Sequence, residues 1–279
     1  MRETKAAMED IGMQWNPKKC SMAHVKRGVQ VKESEGLRLD EGAIVSALEE
    51  GTHYKFLGVV QNVKQEDHLV LEGAAKVYLK SLSVIWSSPL SDFNRVIATN
   101  QFALPVMSYF MWTQHWPVTQ LRSIDREARK IIVEGGGKHP QSSTALLYLP
   151  RDKRGRGLRS IEHEYKITKI KAAIKICSNT NPTVELVRKF EERAQQKGFS
   201  SVLKEASKFA RELGIILDLE YPSPSYETDK GEVVREPNKI KKLLKTVYEN
   251  KLKERMCDEA WQGKLLKARW EDESLTQAC

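Results

Sequence analysis

The sequence has few cysteines and no paired cysteine spacing. Its four cysteines, among 279 residues, stand far apart at Cys20, Cys177, Cys257 and Cys279. Disulfide frameworks in small secreted modules need closely grouped cysteines, so this pattern argues against that class. We therefore expect an intracellular protein, nuclear or cytoplasmic.

A long apolar run is also missing. The first ten residues, MRETKAAMED, contain no apolar core of the signal-peptide type. Residues 96–121 contain no Lys, Arg, Asp or Glu, but they include two prolines and several polar side chains that are costly to bury in lipid. We therefore expect no membrane span, and predict core helices interrupted at Pro105 and Pro117.

Signatures of known catalytic sites are absent as well. Cys20 and His24 have the spacing of two metal ligands, but no second pair follows, and a structural zinc site needs four ligands. The glycines at 135–137, followed by Lys138, lack the Ser/Thr-led helix of a phosphate-binding loop, which favours a loop hinge. No local Ser/His/Asp or Cys/His signature is present. We expect no cofactor in this chain.

What the sequence does contain is an excess of positive charge. Lys and Arg number 46 against 37 Asp and Glu, which gives a net charge of +9. Residues 151–175 hold nine basic and three acidic residues, and residues 235–255 hold eight and three. A polyanion is the expected partner, with nucleic acid ahead of a membrane surface, although two solvated helix faces would have the same composition.

The pattern of apolar residues changes after Asp67. Residues 20–60 are rich in glycine and β-branched residues, which predicts short strands, one group of them between Tyr54 and Val60. From Leu71 onward the apolar residues recur at helical spacing. We predict an α+β fold in which a small mixed α/β part precedes a mainly helical body. The predicted divisions are an α/β part at 1–66, helical regions at 67–180 and 181–220, a linker at 221–237 and a C-terminal helical segment at 238–279.

Two runs in the α/β part carry a family resemblance. They are GMQWNPKKC at residues 12–20 and YKFLGV at residues 54–59. In this order they resemble the end of the palm in reverse transcriptases of non-LTR (LINE-type) retrotransposons. In that family a G-L-x-x-N-x-x-K-C run closes the palm, and a Y-x-F/Y-L-G run forms the primer-gripping hairpin.

The resemblance continues into the helical part, where it implies a thumb. The matching residues are Trp116, Leu121, Ile124-Asp125-Arg126, Arg129-Lys130, His139-Pro140 and Leu147-Tyr148-Leu149-Pro150-Arg151. Residues 155–158 match the end of the family's G-G-R-G-L run, with Arg154 in place of the first glycine. Residues 261–264, WQGK, are similar to the segment after the thumb, where His-Gly is more usual.

The resemblance implies RNA-directed DNA polymerase as the parent activity, with Mg²⁺ as its metal. The family holds two metal-binding carboxylates in an (F/Y)-x-D-D motif upstream of the Gly12 run, whereas this sequence contains no Asp-Asp pair. We expect the fingers and the catalytic half of the palm to be missing, so that this chain alone does not polymerise. Lys19 matches the family lysine proposed to protonate pyrophosphate, but a surface cation is the plainer interpretation.

Charge and resemblance together predict that the chain binds RNA or an RNA–DNA hybrid. The basic run at 151–159 is the leading candidate because arginine makes bidentate contacts with phosphate and glycine allows close approach. The predicted nucleic-acid-binding residues are Lys18, Lys19, Tyr54, Phe56, Gly58, Arg151, Lys153, Arg154, Arg156, Arg159, Lys166 and Lys169. Two alternatives stay open: a host-retained helical module that binds another protein, and an unstable fragment without a role.

Overall fold

The computed structural model of the chain contains two compact units, Met1–Val70 and Leu71–Cys279, which are described separately. Short strands dominate the first unit and helices the second, which confirms the predicted α+β class at the coarse level. The residues that the structure describes are 6, 9–13, 16, 20–27, 29–31, 36–38, 44–48, 51–61, 66–227, 233–234, 236–259 and 263–264.

The strands of the first unit are short and form small sheets. They are β1 (Ser21–Met22), β2 (Val25–Lys26), β3 (Val29–Gln30), β4 (Leu37–Arg38), β5 (Ile44–Ala47), β6 (Tyr54–Phe56) and β7 (Val59–Gln61). β5 pairs in parallel with β1 and antiparallel with β4, while β2–β3 and β6–β7 form two hairpins. Val45 on β5 is fully buried.

The β6–β7 hairpin turns through two residues with left-handed backbone conformations. Phe56 pairs with Val59, and between them Leu57 has φ 48° and Gly58 has φ 84°. Tight two-residue hairpin turns of this kind need positive φ at both positions, which glycine adopts freely and leucine only at a steric cost. The strands predicted between Tyr54 and Val60 are thus present as a hairpin.

The second unit is built mainly from helices. They are α1 (Asp67–Ser87, which begins at the end of the first unit), α2 (Asp92–Ala98), α3 (Leu104–Ser108), α4 (Val118–Glu134), α5 (Thr144–Tyr148), α6 (Ile161–Ser178), α7 (Pro182–Gln196), α8 (Val202–Glu212) and α9 (Pro237–Cys257). A π-helical turn, Thr99–Ala103, joins α2 to α3. None of the described helices combines the length and the apolarity that crossing a membrane requires.

Local sequence explains where most of these helices begin. Pro105 lies in the first turn of α3, and Pro117 directly precedes α4, so both predicted interruptions fall at helix starts, where proline is tolerated. Side-chain oxygens accept a hydrogen bond from a backbone N–H in the first turns of α2, α5, α6, α7 and α8. The accepting residues are Ser91, Ser143, Ser160, Asn181 and Ser201.

Helix α6 lies at the centre of the second unit. It packs against α3, α4, α7, α8 and α9, and most of its residues are buried. The apolar stripe predicted from the sequence is part of this core: Ile167, Ile170, Ile174 and Cys177 are each less than a tenth exposed. Because α6 contacts so many helices, it fixes their positions relative to one another, including the positions of the elements that carry the two basic segments.

The glycines after α4 serve close packing. A Cβ atom at Gly135 or Gly137 would collide with Trp86, which is buried and donates a hydrogen bond from Nε1 to Thr99 Oγ1 over 3.1 Å. The loop hinge predicted for this run is therefore a point of tight contact between the end of α4 and α1.

Two strands lie within the stretch predicted to be a linker. β8 (Ile216–Asp218), β9 (Ser225–Glu227) and β10 (Val233–Val234) form an antiparallel sheet with β9 in the middle. Tyr226 is buried, and the ring of Tyr221 lies 3.6 Å from the guanidinium carbon of Arg188. The stretch predicted as a linker therefore contributes two strands to this sheet. Strands of two or three residues are too short to show an apolar periodicity in the sequence. The prolines around them are typical of a connecting segment, which is why the sequence predicts a linker.

Candidate nucleic-acid interface

The basic run that follows α5 folds back onto that helix. After a 3-10 turn at Arg151–Lys153, Arg154 takes a left-handed conformation with φ 64° and ψ 19°. The N–H groups of Gly155 and Gly157 donate to the carbonyls of Pro150 and Leu149. The run is therefore held by backbone hydrogen bonds, and Arg154 has a conformation that glycine adopts freely and other residues only at a steric cost.

Most cations of this run have a nearby partner. The guanidinium of Arg151 lies over the Phe93 ring, 4.3 Å from its centre. Lys153 forms an ion pair of 2.9 Å with Glu249 of α9. Arg156 contacts Asp92 at 3.2 Å and also donates to the carbonyl of Gly137.

Arg159 is the most loosely held of them. Its Nε is 3.8 Å from a carboxylate oxygen of Glu164, and its side chain is 60% exposed. Arg156 thus contributes to the fold, whereas Arg151 and Arg159 are oriented by light contacts on the exposed side of the run.

A cleft of about 550 Å³ opens beside this run. Its walls come from α2, the basic run, α6 and α9. The cationic side chains that line it are Arg151, Arg156, Arg159, Lys171, Lys242 and Lys245. The described carboxylates in its lining are Glu164 and Glu249, and Glu249 is already paired with Lys153. The lining therefore has an excess of positive charge, contributed by both basic segments of the sequence.

Aromatic side chains form the uncharged part of the cleft. Phe93 lies on one wall, and the rings of His163 and Tyr248 are stacked within 10° of parallel. Burial, together with the nearby ammonium of Lys166, lowers the pKa of His163 to about 3, so its imidazole is neutral at pH 7. Burial also raises the pKa of Tyr148 to about 12. The cleft therefore combines neutral rings with a cationic rim.

Two of the predicted binding lysines lie in the interior. Lys169 is completely buried, with its ammonium 3.4 Å from Glu205 of α8. Lys166 is 9% exposed and contacts Glu162 at 2.7 Å and Glu212 at 2.8 Å. Both ammonium groups therefore face carboxylates of the second unit. That these two lysines bind nucleic acid stays a prediction, and their charges already have partners within the fold.

A second, more polar cleft of about 400 Å³ is lined by residues of α4, α5, α6 and α9. Asp125 accepts hydrogen bonds from the Ser160 hydroxyl and from the N–H groups of Ile161 and Glu162, at 2.7 to 3.1 Å. Burial raises the pKa of Asp125, and these donors oppose that change. Its role here is to fix the start of α6.

The predicted N-terminal site residues belong to the first unit. Tyr54 and Phe56 lie on β6 and Gly58 in the following turn, with the Phe56 side chain about half exposed. Lys18 and Lys19 lie outside the described residues. The hairpin thus presents one exposed aromatic ring next to its turn.

Sequence analysis missed several residues of the cleft. Phe93, Lys171 and Tyr248 were not predicted as site residues, and Lys242 and Lys245 appeared only as part of a basic segment. The positive charge of residues 235–255 could have indicated Lys242 and Lys245 as binding residues. No sequence signal places Phe93 beside Arg151, because α2 and the basic run meet only through tertiary packing.

The described residues do not fit a magnesium site. Among them, no three His, Cys, Asp or Glu side chains come together where they could hold a metal ion. A polymerase palm needs converging carboxylates for this purpose, and the sequence has no Asp-Asp pair. We therefore assign no metal-dependent step to the described part of the chain.

Comparison with other proteins adds no assignment. The chain matches no protein-family model, no curated protein and no solved structure.

Proposed function

We propose that this chain binds nucleic acid through the basic cleft of its second unit, and that it corresponds to the palm end and thumb of a non-LTR reverse transcriptase. One observation carries the proposal: residues 151–159 and 242–245, which are far apart in the sequence, line the same cleft. Neighbouring cations of this kind repel one another, and a polyanion relieves that repulsion.

The cationic residues of the cleft are suited to contact the phosphate groups of a nucleic acid. Arg151 and Arg159 offer guanidinium groups for bidentate contacts with phosphate oxygens, and Lys171 and Lys242 add point charges. Phosphate contacts of this sort fix position without reading sequence. We therefore expect RNA or an RNA–DNA hybrid to bind with little sequence preference and with an affinity that falls steeply as salt rises.

Polymerisation is not part of this proposal. The thumb-like residues would contact nucleic acid, while the two Mg²⁺ ions of the parent activity would need carboxylates that the described residues do not bring together. Binding without catalysis is therefore the activity we propose for this chain.

Photochemical cross-linking tests where nucleic acid binds. RNA containing 4-thiouridine is irradiated with the full chain, and the cross-linked peptides are identified by mass spectrometry. We expect cross-links in peptides that contain Phe93, residues 151–159 and Tyr248. Cross-links confined to α7 and α8, with none in those peptides, would contradict the proposed interface.

A second candidate function is protein binding through α7. Leu186, Val187 and Phe190 on this helix are 58%, 42% and 66% exposed. Exposed apolar groups close together on one element mark interaction sites more often than isolated ones do. Sedimentation velocity that shows self-association, together with a Phe190→Glu variant that abolishes it, would favour this function.

A further inference from the structure

The basic cleft has features that distinguish one class of nucleic acid from another. We infer that it holds an unpaired, unstacked nucleotide of a single strand, with the base placed against Phe93 and Arg151. This inference rests on the proposed function, because it specifies the ligand of that same cleft. Three features of the cleft support this inference: its exposed ring, its size and the placement of its charges.

The ring of Phe93 is available for stacking. Arg151 lies over it at 4.3 Å from the ring centre, yet 46% of the Phe93 residue surface stays exposed. Unpaired bases stack on aromatic rings and on guanidinium planes. Here the guanidinium lies over the ring, and both residues of this stacked pair are exposed, so a base can stack on what the pair leaves uncovered. In a duplex each base is stacked between its neighbours, so its face does not reach such a ring.

The shape of the cleft favours a small group. Its volume of about 550 Å³ lies within the range of sites that enclose one small molecule, and the stacked rings of His163 and Tyr248 form part of its lining. A duplex would lie across the opening and leave this space unfilled. A smaller hollow of about 270 Å³ shares Phe93, Arg151 and Arg156 with the cleft, which leaves room for a neighbouring nucleotide.

The charges lie where the backbone of such a strand would run. Arg159, Lys171 and Lys242 line the cleft, while the imidazole beside Tyr248 is neutral. Lys171 and Lys242 have no ion-pair partner within the part of the chain that the structure describes. Their ammonium groups are therefore available to phosphates on either side of the seated base.

Fluorescence anisotropy with the full chain tests this inference. The probes are a short unstructured single-stranded RNA and a blunt RNA–DNA hybrid of the same sequence, both labelled with fluorescein. We expect the single strand to bind about tenfold or more tightly than the hybrid. Phe93→Leu should weaken single-strand binding about 5- to 100-fold, as the loss of one stacked base does, and leave the hybrid unchanged.

Two variants serve as controls. Phe93→Tyr keeps an aromatic face and should retain single-strand affinity. Phe190→Leu removes a ring that is 66% exposed, on α7 and outside the cleft, and should leave the affinity for both probes unchanged. Circular dichroism of each variant confirms that it folds.

The outcomes separate the inference from the proposed function. Equal binding of both probes, or a single-strand affinity that Phe93→Leu does not lower, overturns the inference while the proposed function stands. If neither probe binds, the proposed function fails and the inference fails with it.

Discussion

Gly155 shows how one residue shapes the basic run. A Cβ atom at this position would collide with the backbone carbonyl of Leu149, which also accepts a hydrogen bond from the N–H of Gly157. A backbone obstacle cannot rotate away as a side chain does, so only glycine fits without displacing the run. The placement of Arg151 and Arg159 on the cleft therefore depends on a residue without a side chain.

We predict that Gly155→Ala lowers the free energy of unfolding by about 1 to 3 kcal/mol, the usual cost of overfilling a tight site. Gly73→Ala is the matched control, because Gly73 lies within α1 with no atom near its added Cβ. That change should raise stability by about 1 kcal/mol. Urea unfolding measures both, and equal effects for the two variants would contradict the packing argument.

Glu162 links pH to stability. Burial alone would raise its pKa, but two hydrogen bonds from Arg122, each 2.9 Å, and one of 2.7 Å from Lys166 outweigh burial and hold the pKa of Glu162 below its ordinary value. A carboxylate with a depressed folded-state pKa stabilises the protein above its unfolded pKa of about 4.3. This contribution is lost as the pH falls through the lower, folded value.

Glu162→Gln should therefore be less stable than the original chain at pH 7, by about 1 to 3 kcal/mol, and should lose less further stability between about pH 5 and pH 3. Glu127→Gln removes an exposed partner of Lys130 on α4 and serves as the control, with an expected change below about 1 kcal/mol. Chemical unfolding across this pH range gives both curves. Parallel curves for Glu162→Gln and the original chain would disprove the assignment.

At the scale of elements, α6 decides which cations reach solvent. Its sequence alternates isoleucines with lysines, as a surface helix does, but carboxylates from α6 itself and from α8 meet Lys166 and Lys169 inside the unit. Lys171 belongs to the same helix and lines the cleft. The position of a lysine on the helix surface, rather than its presence in a basic segment, therefore determines whether it is available to a ligand.

Lys169→Met tests this distinction. The substitution removes one positive charge from the interior, so the log–log slope of RNA affinity against salt should not change. Arg159→Ala removes one charge from the cleft and should make the slope shallower by about 0.7. Anisotropy titrations across a salt series compare the two variants. An equal decrease of the slope in the Lys169 variant would show that this lysine contacts RNA.

Features that depend on residues close together in the sequence are predicted well from a single sequence. Apolar spacing located the buried stripe of α6, prolines located the starts of α3 and α4, and the YKFLGV run located a hairpin, because each depends on neighbours within a few residues. The burial of Lys169 depends on Glu205, which lies on another helix. A local sequence pattern does not indicate which residue of another helix will pack against a lysine. From the sequence alone, a lysine that faces an internal carboxylate therefore cannot be distinguished from one that faces water.

At the scale of the whole second unit, the two basic segments meet although helices and a three-stranded sheet separate them in the sequence. Composition identified both segments, and sequence analysis ranked residues 151–159 above the lysines of residues 235–255. Packing of α9 against α5 and α6 brings Lys242 and Lys245 to the same cleft as Arg151. The site thus follows from tertiary structure, and the two segments should act as one surface.

The most direct test of this claim is the salt dependence of binding in a fourfold variant of the cleft. Arg151, Arg159, Lys171 and Lys242 are replaced by Ala, and affinity for labelled single-stranded RNA and for the hybrid is measured from low to high salt. The control variant replaces Lys76, Lys80, Lys197 and Lys204, which are exposed and lie outside the cleft lining, so its net charge is the same. We predict a slope shallower by up to about 3 units in the cleft variant and nearly unchanged in the control. Equal slopes in the two variants would contradict the claim that the cleft is the binding surface.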